Sequence, residues 1–332
     1  MSVFSKIVSF LMSILLFLCG AAQGSVPEKA EKFRVVSYLV VFDDAAVDAV
    51  DPSHFRDLTD VIIFGGYAGM RGDGTVTVSD RLAGVVERLK ALDESGTLRW
   101  HLNFDIVTDG DQKMTMREDF RGKELARSIR AVLEKYDLDG AFFDYEFPQE
   151  WDAKLDFSVF LINLKQCLGD DFRIGAALQP WCASFLPGAI AAIDMVELMC
   201  YDNWDDEGFH SSMALAKQDV KNMVKLGYKL NRIDLGLPFY ARPTTKEARW
   251  YDYRQYWDKI DENGLAEEEG TGLIASFNTP GLIYEKTKWA IETGLSGVMI
   301  WHYACDVPAD NDASLFNQIT KAKSDALNGK IT

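Results

Sequence analysis

Eight short β-rich runs alternate with helix-length connections along most of a 332-residue chain, and two acids close one of those runs. The alternation predicts an α/β fold, a (β/α)8 TIM barrel in preference to an open sheet, because each parallel strand needs a crossover of a dozen or more residues. Length agrees with this, since such barrels typically run to ~250 residues or more as one domain.

Residues 1–24 read as an export signal, which leaves residues 25–332 for the barrel. Lys6 supplies a basic start, Ile7 to Leu18 an apolar run, and Ala22, Gln23 and Gly24 a small-residue cleavage site before Ser25. An uncleaved anchor is the alternative, but the run is shorter than the ~20 apolar residues that span a bilayer comfortably. Cys19 would suit a lipoprotein only if a small residue stood where Leu18 is. The expected location is therefore secreted or periplasmic, with no membrane span in the mature chain.

The strands are expected at Arg34–Val41, Val61–Phe64, Arg99–Phe104, Gly140–Asp144, Arg173–Ala177, Val196–Cys200, Ile233–Leu237 and Gly297–Ile300. Each is a short run rich in β-branched or aromatic residues and bounded by polar or turn residues. Helices are expected at Ser79–Asp93, Lys123–Tyr136, Phe157–Leu168, Ser212–Leu226 and Tyr284–Thr293; in the second, Leu125, Ile129, Val132 and Leu133 recur at helical spacing. The longest connection, Pro238 to Leu295, includes the acidic run Glu267–Glu269, which reads as a solvated loop.

The formal charge of −16 argues against phosphate backbones and anionic membranes as partners, so no nucleic acid is expected. A neutral polymer is compatible with it, and a monomer is expected. Cys167, Cys182, Cys200 and Cys305 are widely and irregularly spaced, without a CxxC pair. Free buried thiols are the simpler reading, and Cys182 with Cys305 is the pairing to expect if one bridge exists. His54, His101, His210 and His302 show no ligand spacing, so neither a metal nor any other cofactor is expected. No Gly-x-Ser-x-Gly elbow is present, and Gly270 to Ala275 matches a dinucleotide loop only loosely and in the wrong place.

The acids stand in the run Leu138-Asp139-Gly140-Ala141-Phe142-Phe143-Asp144-Tyr145-Glu146-Phe147-Pro148. At a side-chain period of two, Phe142, Asp144 and Glu146 share one face, while Phe143 and Tyr145 face the other way. Carboxyls in an apolar setting are costly to ionise, so one of them should hold a proton near neutral pH, which is what a general acid requires.

This run resembles the signature of glycoside hydrolase family 18, the chitinases and endo-β-N-acetylglucosaminidases, whose pattern is Asp-Gly-x-Asp-x-Asp-x-Glu. Asp139, Gly140, Asp144 and Glu146 match, and Phe142 replaces the middle Asp. Further along, Ser37-Tyr38, Met199-Cys200-Tyr201-Asp202, Gly236 to Arg242, and Gly297 to Trp301 followed by Asp306 resemble family segments at strands one, six, seven and eight. The third strand departs, with Leu102-Asn103-Phe104-Asp105 where the family has Ser-x-Gly-Gly. Some family members insert a small domain between strands seven and eight. With about 40 residues available here, no full insertion domain and a shallower groove are expected.

The resemblance implies cleavage of β-1,4-linked N-acetylglucosamine glycans, chitin or chito-oligosaccharides, with retention of configuration. The substrate's 2-acetamido group acts as nucleophile, outside the usual two-carboxylate scheme. It implies Glu146 as acid/base, with Asp144 bonded to Glu146 or to the acetamido N–H, and Tyr201 holding the attacking acetamido oxygen. Asp202 would contact the same sugar and Trp301 would form its floor. Gln179 and Tyr240 are expected as polar contacts, and Trp181 and Trp204 as walls of outer subsites. Asp139 reads as structural. The alternatives are an endo-β-N-acetylglucosaminidase acting on N-glycans or cell-wall chains, and a non-catalytic, lectin-like barrel that binds chitin.

Overall fold

A computed structural model describes residues 33–106 and 116–329. The expected signal, residues 1–24, lies outside the described residues. Eight parallel strands close into a barrel: β1 (Arg34–Val40), β2 (Asp60–Phe64), β3 (Arg99–Asn103), β4 (Gly140–Asp144), β5 (Arg173–Leu178), β6 (Met195–Leu198), β7 (Ile233–Pro238) and β8 (Gly297–Trp301). They follow one another in chain order, and β8 closes on β1 with Arg34 opposite Gly297. The crossovers carry α1 (Leu82–Lys90), α2 (Lys123–Lys135), α3 (Trp151–Leu168), α4 (Pro187–Ala192), α5 (Met213–Lys225) and α6 (Pro280–Thr293), and α7 (Leu315–Leu327) follows β8.

Burial on both strand faces explains the sequence of β4. Phe143 points outward and meets Phe157 and Phe160 of α3, with ring centroids at 6.3 and 5.1 Å. Phe142 points into the barrel, 4.7 Å from the His101 ring and directly over Gly175 of β5. A Cβ at position 175 would lie 2.1 Å from the Phe142 ring, so the aromatic side chain fits only because its neighbour is glycine. Asp139, at the entrance of β4, accepts the Trp100 N–H at 2.7 Å, a structural role.

Below Phe142 the barrel interior is ionic. Asp60 is fully buried and accepts from Arg99 Nε and Nη2 at 2.7 and 2.8 Å, with His101 Nε2 at 2.8 Å. Arg34 pairs with Asp234 at 3.0 Å. Glu197 is buried beside them, and burial, with Asp234 nearby, raises its carboxyl far above the ordinary value, so it carries its proton.

Two small sheets sit on the connections. After β2, Ala68–Met70 pairs with Val76–Val78 and, in parallel, with Asp105–Ile106 just beyond β3. After β7, Tyr240–Pro243, Tyr251–Asp252, Leu265–Glu267 and Ile274–Ser276 form a four-stranded antiparallel sheet. The acidic run there is not simply a solvated loop. Glu267 ends a strand, and Glu268 accepts from Arg249, Tyr251 and Thr271 at 2.7, 3.0 and 2.7 Å.

Three further findings differ from the sequence-based expectations. Helix α7, whose Leu315, Phe316, Ile319 and Ala322 are buried, was not anticipated, nor was the six-residue α4, which is too short to display a period. The suggested Cys182–Cys305 bridge does not form. Cys182 donates to the Gln179 carbonyl at 3.2 Å and Cys305 contacts Asp252 and His302, and all four described cysteines are free thiols. No described helix is long and apolar enough to cross a membrane.

Candidate active site

The C-terminal ends of the strands open into a cleft of ≈ 540 Å³. β4 ends at Asp144, and Glu146 lies two residues beyond the strand, so the shared-face spacing carries past the last paired residue. Both carboxyls line the cleft, Glu146 open to solvent and Asp144 deeper. Asp144 Oδ1 is buried with no hydrogen-bond partner. The Asp144 N–H donates to Asn103 Oδ1 at 3.2 Å, and Asn103 Nδ2 donates to Asp105 Oδ1 at 2.8 Å.

Burial raises the Asp144 carboxyl well above its ordinary range, and the Glu146 charge adds to this. Burial also raises Glu146, with Asp202 pushing the same way and Arg242 opposing. The two carboxyls also interact directly with one another, so neither titrates independently of the other. Two carboxyls so placed titrate as a unit, and each resists ionisation while the other is charged.

Facing them, β6 leads into Tyr201 and Asp202. The Tyr201 hydroxyl has a weak acceptor in Met299 Sδ at 4.0 Å, which leaves it available to a ligand. Asp202 takes a left-handed φ of +55°, a costly backbone for a residue other than glycine. Its neighbours hold it there. Tyr240 OH and Arg242 Nε donate to Oδ1 at 2.6 Å, and Arg242 Nη2 donates to Oδ2 at 2.9 Å. The Asp202 N–H donates to His210 Nε2 at 2.9 Å, which leaves the His210 proton on Nδ1. Burial pushes the His210 imidazole below its ordinary value, consistent with a neutral ring. Burial opposes ionisation of Asp202, but the partners around it, Arg242 and Tyr240 among them, hold it well below the usual carboxylate range.

The loop from Tyr201 to Ser211 is clamped from behind by Lys286 of α6. This fully buried ammonium donates to the Ser211 carbonyl, Ser211 Oγ and Asn278 Oδ1 at 2.5, 3.0 and 2.6 Å. Burial without a directly bonded carboxylate pushes it down to about 7.

Of the residues expected at the site, Glu146, Asp144, Tyr201, Asp202, Gln179, Trp181 and Trp301 come together around one cleft. Trp301 packs edge-on against Tyr38 and Phe64 at 5.0 and 5.5 Å. Gln179 accepts the Trp181 indole N–H, and Trp181 lies 4.7 Å from Phe147. Two expectations need correction. Trp204 donates its indole N–H to the Pro243 carbonyl at 3.0 Å and packs near His210, outside the cleft lining. Tyr240 is 1 % exposed and stands behind Trp250, its hydroxyl committed to Asp202.

Six cleft residues were not expected as site residues: Tyr38, Phe147, Ala177, Met199, Arg242 and Trp250. Tyr38, whose buried hydroxyl has no partner, and Arg242 lie in segments that match the family without a signal of their own. Trp250 carried no signal beyond being a tryptophan in the long connection. It stacks on Tyr240 at 3.6 Å and 4° and forms a wall of the cleft. Among the described residues no group of three His, Cys, Asp or Glu side chains is arranged to hold a metal ion.

The family model described as Glycosyl hydrolases family 18 matches residues 34–306. Among curated proteins, Endochitinase 1 of Metarhizium robertsii is 21% identical over 271 residues, which cover 66% of this chain and 62% of the relative. The chain therefore spans less than two-thirds of that relative's length. Among solved structures, the chitinase ChiB from the chitin utilization locus of Flavobacterium johnsoniae aligns with a TM-score of 0.71 at 22% identity, covering 89% of this chain and 95% of that one. A chitinase from Bacteroides thetaiotaomicron aligns with the same TM-score at 21% identity, covering 88% and 97%. At these identities the structural likeness bears on the fold.

Proposed function

The chain belongs to glycosyl hydrolase family 18, and from that premise we propose that it is an exported hydrolase of β-1,4-linked N-acetylglucosamine glycans that acts with retention. The observation that carries this reading is the pair Asp144–Glu146, raised by burial at the mouth of the cleft and faced by an available Tyr201 hydroxyl. Trp301 supplies an aromatic floor and Trp250 a wall, against which the C–H face of a pyranose packs well.

In this mechanism the proton shared by the pair passes from Asp144 to Glu146 when the sugar binds, and Glu146 delivers it to the glycosidic oxygen as the bond to the anomeric carbon breaks. The acetamido carbonyl oxygen of the same sugar forms the new bond from the opposite face. Asp144 accepts the acetamido N–H and stabilises the positive charge that develops there, while the Tyr201 hydroxyl donates to the attacking oxygen. Glu146, now a carboxylate, takes a proton from the incoming water. Water then opens the cyclic intermediate at the anomeric carbon, and two inversions give net retention. Asp202, fixed by Arg242, sits on the sugar's other flank. Residues 1–24 serve export in this reading and are removed, and the mature chain acts as a monomer.

The test compares wild type and Glu146→Gln on chito-oligosaccharides and on a high-mannose glycopeptide. The expected result is cleavage of chito-oligosaccharides to β-anomeric products, with turnover falling 10²–10⁴-fold in Glu146→Gln while binding persists. Cleavage of the glycopeptide alone would make the protein an endo-β-N-acetylglucosaminidase. Binding of sugar by wild type without turnover of either substrate would make it a lectin-like barrel.

A further inference from the structure

Asp144 and Phe142 share one face of β4. Beneath Asp144 lies the apolar Phe142 ring, and the Asp144 Oδ1 is buried without a partner. Its backbone N–H rests on Asn103, whose amide in turn holds Asp105 at 2.8 Å. Asp105 is itself fixed, because it starts the short strand that pairs in parallel with Ala68–Met70, opposite Gly69. Its Oδ2 lies against Gly66, 3.7 Å from where a Cβ would stand. Two short strands and one bridging amide thus link a third carboxyl to the acid pair.

We propose that Asp105 is a positioning residue for the acid pair: bridged by Asn103, its carboxylate acts on Asp144 from the short strand just beyond β3 and keeps one proton on the Asp144–Glu146 unit. This deepens the hydrolase reading and rests on it. The physical basis is that neighbouring carboxyls resist simultaneous ionisation when burial weakens solvent screening. Burial raises Asp105 itself to about 6, against the opposing hydrogen bond from Asn103. Above that pH Asp105 is charged, and its charge adds to burial and Glu146 in raising Asp144.

The other groups around the pair do not replace it. Tyr38 from β1 and Tyr201 from β6 are phenols pushed up by burial and stay neutral. Ala177 from β5 carries no charge. Asp202, just after β6, and Arg242, on the strand Tyr240–Pro243 after β7, act on Glu146 with opposite signs. His101, deeper on β3, is engaged with Asp60.

Asp105→Asn removes the charge and keeps an amide-sized partner for Asn103. The readout is the infrared band of the protonated Asp144 carboxyl, identified by its absence in Asp144→Asn and titrated across pH in the full protein. The band should disappear about one pH unit lower in Asp105→Asn, a tenfold loss of proton affinity, and return to the wild-type position in Asp105→Glu. Asn103→Leu, which breaks the bridge, should move it in the same direction. On chito-oligosaccharides the basic limb of kcat/KM should fall by the same amount. An unshifted band in a folded Asp105→Asn protein overturns the inference, even if activity drops. A shifted band in a protein that turns over no sugar leaves the inference standing and removes the hydrolase reading.

Discussion

Arg242 grips Asp202 at two points, Nε to Oδ1 at 2.6 Å and Nη2 to Oδ2 at 2.9 Å, while its guanidinium lies 5.4 Å from the Trp250 ring centroid. The fork geometry fixes the carboxylate's orientation, and the aromatic face fixes the fork. This pair also tunes the acid across the cleft, because Asp202 raises Glu146 and Arg242 lowers it.

Arg242→Met should therefore do two things. Leaving Asp202 without its ion-pair partner should cost about 1–3 kcal/mol in urea unfolding. Removing the opposing charge should raise Glu146 further, so the basic limb of the pH–rate profile should move to higher pH. A basic limb that moves down, or does not move, contradicts this assignment of charges.

Trp250→Ala removes a wall of the cleft without touching the acids. A lost aromatic platform of about 1–2 kcal/mol predicts roughly a tenfold rise in KM for chito-oligosaccharides, with kcat little changed. Because Trp250 also covers Tyr240, a thermal melt is needed to separate lost packing from lost binding.

Gly175→Ala should destabilise the barrel by about 1–3 kcal/mol, because the new methyl group has no room against Phe142. In a Phe142→Leu background the cost should be smaller. Double-mutant unfolding would read that coupling directly, and strict additivity would show that the two positions do not press on one another.

Asp60 sets an acid limit on stability. Burial disfavours its charge, but His101 and Arg99 outweigh this and hold it far below its ordinary value of 3.8. The folded value lies below the unfolded one, so the unfolded chain takes up the proton first. The contribution is complete above the unfolded value and fades as pH falls through the folded one. Asp60→Asn should cost about 3–5 kcal/mol at pH 7, and the gap to wild type should narrow in unfolding curves taken at progressively lower pH.

Much of this was legible in the chain. All eight barrel strands lie within two residues of the runs read from composition and turn residues, and the alternation in β4 correctly sends Phe142 inward and Phe143 outward. Helix α7 escaped for a physical reason: it follows the last strand, so no crossover requires it, although Leu315, Phe316, Ile319 and Ala322 do recur at helical spacing. Trp204 and Trp250 show the limit for the site. Both are tryptophans after a barrel strand, yet one turns its indole to the Pro243 carbonyl and the other stacks over Tyr240 into the cleft.

Periodicity, crossover length and the order of matching segments determine the barrel and put Asp144 and Glu146 at the mouth of its fourth strand, because those signals are local and repeat along the chain. The tertiary structure decides which side chains meet those acids. Arg242 and Trp250 line the cleft from the small sheet after β7, and Asp105, linked to Asp144 through Asn103, is held by the small sheet beyond β3, and both sheets depend on contacts between distant segments. The charge felt by each carboxyl depends on that same three-dimensional arrangement, since burial and neighbouring charges act through space and not along the sequence.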